Sequence, residues 1–149
     1  MKAILQSLLS VVLLITIASC DAPEKTESQI NNITTSAAAD LIKDDKNIVV
    51  LDVRTPEEHV AGHIEGSVNI NIAKDSFSEE TAKLDHNKTY IVHCAANVEN
   101  GRTAKSLIIM EELGFKSLLN LEGGIVAWEK DGQPMIKTEE PKDHPETSK

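Results

Sequence analysis

Cys94 is the residue of this chain best placed for nucleophilic chemistry. It follows the stretch Tyr90-Ile91-Val92-His93, and seven residues, Ala95-Ala96-Asn97-Val98-Glu99-Asn100-Gly101, separate it from Arg102. The run reads as a buried strand, and the stretch from Arg102 to about Leu113 as a helix stopped at Gly114. Sites in open α/β sheets form where strands end. A helix N-terminus offers unpaired backbone N–H groups and the positive end of its dipole, a place that favours anions. Arg102 either adds a fixed positive charge or pins the loop, and Gly101 lets the backbone turn closely. Such a site suits attack by the Cys94 sulfur on anionic sulfur or on a centre that develops an oxyanion. The plain alternative is a small buried hydrophobe at a strand end, a common use of free cysteine.

The rest of the chain must supply the frame. Its 149 residues suffice for one domain, and with 40% hydrophobic but only 3% aromatic residues the core must come from Ile, Leu, Val and Ala. A net charge of -9 argues against non-specific nucleic-acid binding and against attraction to an anionic membrane surface. The five His are scattered, with no Cys-x-x-Cys or His-Glu-x-x-His pairing, so no metal site and no cofactor are expected.

Helix and strand signals alternate. Thr34 or Thr35 caps a helix through Ile42. Ile48-Val49-Val50-Leu51 reads as a strand buried on both faces. Thr55-Pro56 looks like a cap with proline at the first helical position. Val68 to Ile72 reads as a short strand, and Ser78 opens a helix to about Leu84. Ser117 to Leu121 is a further strand, and Gly123-Gly124 turns into a last helix around Trp128, which packs it on the core. The order predicts an α/β domain with a mainly parallel sheet. His93 should point to the opposite face from Cys94. His63 reads as a turn-stabilising hydrogen-bonding residue.

Both ends fall outside this pattern. Residues 8–18 form an apolar run too short to span a bilayer, ending in Ile17-Ala18-Ser19 before Cys20. This arrangement resembles a bacterial lipoprotein signal peptide, which implies a leader at 1–19 and lipidation of the Cys20 thiol. It also implies a domain tethered to a membrane of the cell envelope, facing the periplasm or exterior. A plain secretory signal with an incidental cysteine is the other reading. Residues 20–32 read as a flexible tether, 33–136 as the domain and 137–149 as a disordered tail. A lipid-modified Cys20 would leave Cys94 without a disulfide partner, since the chain has two cysteines.

Four motifs in order resemble the rhodanese family. They are Leu51-Asp52-Val53-Arg54 with Glu58; Gly62-His63-Ile64-Glu65-Gly66-Ser67-Val68-Asn69-Ile70; Val92-His93-Cys94 with Gly101-Arg102-Thr103-Ala104; and Leu121-Glu122-Gly123-Gly124 through Trp128. The resemblance implies a five-stranded parallel sheet flanked by helices. It implies a thiosulfate sulfurtransferase-like enzyme whose Cys94 takes sulfane sulfur from a small donor, holds it as a persulfide and passes it to a thiophilic acceptor. The loop 95–102 would bind the substrate, and Asp52, Arg54 and Glu58 read as a charge network bracing that side. The chain departs from the family in loop length. Single-domain members have four residues between cysteine and arginine and related phosphatases one more, against seven here. A non-catalytic binding or redox-sensing module, and phosphatase- or arsenate-reductase-like chemistry, are the competing functions.

Overall fold

The computed structural model describes residues 29–96 and 99–138. The leader, Cys20, most of the tether and the tail beyond Thr138 lie outside the described residues, as do Asn97 and Val98.

The apolar runs become the centre of the sheet. β1 (Gln29–Ile33), β2 (Ile48–Asp52), β4 (Val68–Asn69), β5 (Thr89–His93) and β6 (Ser117–Leu121) form one five-stranded sheet in the order β1-β6-β5-β2-β4, with every pairing parallel. Helices α1 (Thr35–Asp44), α2 (Pro56–Ala61), α3 (Phe77–Thr81) and α4 (Arg102–Glu112) lie in the crossovers between its strands, and α5 (Gly124–Lys130) follows β6. A two-stranded antiparallel pair, β3 (Gly62–His63) with β7 (Ile136–Lys137), stands apart from the main sheet. The chain thus adopts the α/β class with a five-stranded parallel sheet flanked by helices.

The period of β5 shows why. Tyr90, Val92 and Cys94 face a core with Phe77 of α3 and Leu107 and Met110 of α4. Ile91 faces a second core with Ala38 and Ala39 of α1 and Ile125 and Trp128 of α5. A strand covered on both faces must be apolar throughout, and burying each large aliphatic side chain contributes about 1.5–3 kcal/mol.

Four expectations need correction. Gln29 to Asn32, assigned to the tether, pair with Ser117 to Asn120 as the edge strand β1. Lys137 and Thr138, assigned to the tail, are held by the domain: Lys137 pairs with Gly62 and Thr138 Oγ1 donates to the Val60 carbonyl at 2.6 Å. The strand expected from Val68 to Ile72 closes after Asn69, although Ile70 N still donates to Asp52 O at 3.0 Å and Ile72 N to Val53 O at 3.3 Å. The helix expected from Ser78 to Leu84 is the shorter α3, followed by turns.

Candidate active site

Cys94 directly follows the central strand β5, its side chain on the face covered by α4, and is 2% exposed. Its Sγ donates to the Ala96 carbonyl oxygen at 3.1 Å. Its backbone is held from elsewhere. Ile125 N donates to Cys94 O at 3.0 Å and Val126 N donates to Ala95 O at 3.0 Å. Both amides lie in the first turn of α5, so the peptide units of Cys94 and Ala95 satisfy donors that a helix start leaves unpaired. Gly124 makes this possible. Its φ is +60°, and a Cβ there would lie 2.6 Å from Cys94 O and 2.9 Å from Ala95 O.

Arg102 is the first residue of α4. Its Nη1 donates to Glu58 Oε2 at 2.6 Å and its Nη2 to Glu58 Oε1 at 2.9 Å. Glu58 is itself anchored by the capping box of α2: Thr55 N donates to Glu58 Oε2 at 2.9 Å, and Glu58 N to Thr55 Oγ1 at 3.3 Å. A cap on one helix therefore sets the position of the arginine at the start of another. The Arg102 hydrogen bond, opposed by partial burial and helped by the Thr55 amide, holds the Glu58 carboxyl at about 2. The same hydrogen bond raises Arg102 further, against partial burial, with the Glu58 charge and the fields of Cys94 and Asp52 adding to it.

Asp52 and Arg54 form a second, fully buried cluster. Arg54 Nε donates to Asp52 Oδ1 at 2.9 Å, and Nη2 to Asp52 Oδ2 at 2.5 Å and to the Gly62 carbonyl at 2.7 Å. His59 Nδ1 lies 3.0 Å from Asp52 Oδ2, and Asn69 Nδ2 donates to the carbonyls of Asp52 and Arg54, each at 2.9 Å. Burial works to raise the Asp52 carboxyl, but Arg54, the His93 field and His59 leave it below its ordinary value. Asp52, Arg54 and Glu58, read from sequence as one network, thus contact different partners: Asp52 binds Arg54, while Glu58 binds Arg102. Helix α2 links the two clusters, carrying both Glu58 and His59.

His93 lies beside Asp52 across the β2–β5 pairing, buried, with Nδ1 3.2 Å from Cys94 O and no hydrogen-bond partner at Nε2. Burial pushes its pKa down. By strand alternation its ring is on the face opposite the Cys94 side chain. His63 Nδ1 sits 2.9 Å from His59 O, and the two rings stack at 4.1 Å. Trp128 is 2% exposed and donates through Nε1 to Pro134 O at 2.9 Å.

Within the loop, Ala95 is half-buried, Ala96, Glu99 and Asn100 are exposed, and Asn100 has φ 56°. Gly101 occupies the N-cap of α4 without a side-chain capping bond. Asn97 and Val98 are outside the described residues. Sequence reasoning missed His59 as a partner of Asp52 and Asn69 as the clasp on its backbone. The signal for His59 was its place one turn after the Thr55 cap. It also left the closing glycines without a steric reason, which Gly124 supplies.

A family model described as Rhodanese-like domain matches residues 34–131, and the chain belongs to that family. The adenylyltransferase/sulfurtransferase MoeZ of Mycobacterium tuberculosis is 33% identical over 104 residues, 70% of this chain but only 26% of that protein. This chain thus spans about a quarter of that relative. YtwF of Bacillus subtilis, named as a sulfurtransferase, is 33% identical over 106 residues, 71% of this chain and 97% of that one. A protein named dual specificity phosphatase Cdc25, from Arabidopsis thaliana, is 32% identical over 104 residues, 63% of this chain and 70% of its own. The crystal structure of a rhodanese-related protein from Thermoplasma volcanium superposes with a TM-score of 0.61 at 32% identity, covering 71% of this chain and 97% of that one. The chain is a rhodanese-like domain with relatives named as sulfurtransferases.

Proposed function

We propose that the domain is a sulfurtransferase carrying sulfane sulfur as a persulfide on Cys94. The observation that supports this best is a free cysteine at the end of the central strand, before an arginine-started helix, with its peptide carbonyl clamped by α5. The Cys94 thiolate attacks the outer sulfur of a donor. The donor's sulfur–sulfur bond breaks, and the leaving group, sulfite from thiosulfate or a thiolate from an organic persulfide, takes the electron pair. An acceptor thiolate then attacks the outer sulfur of the persulfide and returns the Cys94 thiolate. No general base is required, which agrees with the His93 ring lying on the other face. The thiol donates to Ala96 O; an ionised sulfur has no proton to donate, so the working state turns that carbonyl away.

The seven-residue loop and the exposed Glu99 weigh against compact, doubly charged thiosulfate as an efficient donor. Turnover from several donors to a thiol acceptor tests the proposal. Cys94→Ser should abolish it with every donor, and retained turnover sinks the mechanism. Phosphatase-like chemistry is the second reading, supported by the relative named as a dual specificity phosphatase. Hydrolysis of an aryl phosphate that Cys94→Ser lacks, without any persulfide in the wild type, would establish it instead. We further propose that lipid on Cys20 tethers the domain to a membrane of the bacterial envelope.

A further inference from the structure

Arg102, which heads α4 and whose charge interacts with Cys94, is already spoken for. Both terminal nitrogens of Arg102 close on the two oxygens of Glu58, at 2.6 and 2.9 Å. The carboxylate is not free to swing aside, because Oε2 also accepts from Thr55 N at 2.9 Å in the cap of α2. Each of these side chains is 35% exposed, so the pair sits at the edge of the site and not in the core. Arg54, the other arginine in this region, is committed to Asp52 and the Gly62 carbonyl. Glu99 places a further exposed carboxylate on the loop itself.

We propose that Glu58 determines which charge of reagent reaches Cys94: by neutralising Arg102 it selects against dianionic donors and for donors carrying one charge or none. This rests on the reading of Cys94 as a sulfur carrier. A dianion such as thiosulfate must either break the Glu58–Arg102 pair or approach without a net counter-charge. An alkyl persulfide needs neither, since attack on its outer sulfur expels a single thiolate. Glu58 therefore acts through Arg102 and does not touch the reacting atoms.

The substitution Glu58→Gln isolates charge from shape. Glutamine also serves at the third helical position of a capping box, so the α2 cap survives while one negative charge is removed. The direct probe is alkylation of Cys94 by iodoacetate against iodoacetamide, which displace iodide in the same way but differ by one charge. In Glu58→Gln the iodoacetate-to-iodoacetamide rate ratio should rise about twofold or more, the effect of one unit charge ~8 Å away, beyond the guanidinium, in a water-like dielectric. In Arg102→Gln, which leaves the carboxylate unpaired, the ratio should fall. A ratio that stays at the wild-type value in both variants, even if both rates drop together, overturns the proposal and leaves Glu58 a structural brace. Persulfide formation from thiosulfate and from 2-hydroxyethyl persulfide is followed in parallel. If the alkylation ratio moves as stated but neither donor loads Cys94, the sulfur-carrier reading fails while the charge selection stands.

Discussion

Gly124 lies so close beneath the Cys94 carbonyl that a Cβ at this position would be 2.6 Å from its oxygen. Helix α5 is thereby drawn against the start of the loop between Cys94 and Arg102, and its first-turn amides hold the carbonyls of Cys94 and Ala95. The family's closing glycine pair thus has a mechanical role here: it lets one helix start clamp the peptide backbone of Cys94 and Ala95.

Gly124→Ala should damage the site in two ways. A non-glycine residue at a left-handed φ costs on the order of 1–3 kcal/mol, and the methyl group must push the Cys94 and Ala95 carbonyls away. The expected outcome is a lower melting temperature together with sulfur transfer reduced by more than the loss of folded protein explains. Thermal unfolding and turnover at a temperature where the variant is folded check this. Wild-type values in both would remove the clamp from the account.

Asp52→Asn should be among the most destabilising changes in the domain. Arg54 is 6% exposed and Asp52 fully buried, so the substitution leaves a guanidinium without its counter-charge. Breaking one side of a buried pair typically costs about 3–5 kcal/mol. Urea denaturation measures the loss. A change within about 0.5 kcal/mol, the size of an ordinary surface substitution, would show that the cluster is dispensable.

Stability should fall with acid in two stages. His93 is held neutral by burial, so below its ordinary value of 6.5 the unfolded chain takes up a proton that the folded chain refuses. Its contribution is therefore lost as pH drops below that value. Glu58 works from the opposite charge: its carboxyl is at about 2 in the fold against an ordinary 4.5, so its stabilisation is complete above the latter and is lost as pH falls towards the former. Asp52, also lowered, adds to this second stage. Urea midpoints measured from neutral to acid pH should show both, and a folded His93→Gln variant should lack only the first. An unchanged first stage in that variant would assign it elsewhere.

The sequence was most legible where local chemistry and packing agree. Residues 90–92 are apolar because β5 is covered on both faces, and Thr55, Pro56 and Glu58 announce the start of α2 through capping chemistry alone. β1 was hidden for the converse reason. It is an edge strand paired only with β6 among the described residues, its Asn31 and Asn32 are exposed, and Asn32 Oδ1 accepts from Asn120 Nδ2 at 2.9 Å. A polar segment whose order comes from a distant strand looks like a linker. The site divides in the same way: Cys94 and Arg102 stand out by type and spacing, whereas the Glu58–Arg102 contact joins residues 44 positions apart. The Asp52–His59 contact and the steric demand at Gly124 likewise arise only when elements meet.

Lipid attachment at Cys20 predicts that Cys20→Ala abolishes labelling by a fatty-acid analogue in the bacterial host and leaves the leader uncleaved or the domain released from the membrane fraction. Labelling at the wild-type level in that variant would discard the anchor without touching the chemistry at Cys94.

The most direct measurement is the intact mass of the protein after brief exposure to several sulfane-sulfur donors, followed by a thiol acceptor. The account predicts a gain of one sulfur atom, mapped to Cys94 and absent in Cys94→Ser. It predicts loss of that atom on adding the acceptor, with faster loading from an alkyl persulfide than from thiosulfate. A wild-type mass that no donor alters, or a gain that persists in Cys94→Ser, would contradict the claim that Cys94 carries sulfur.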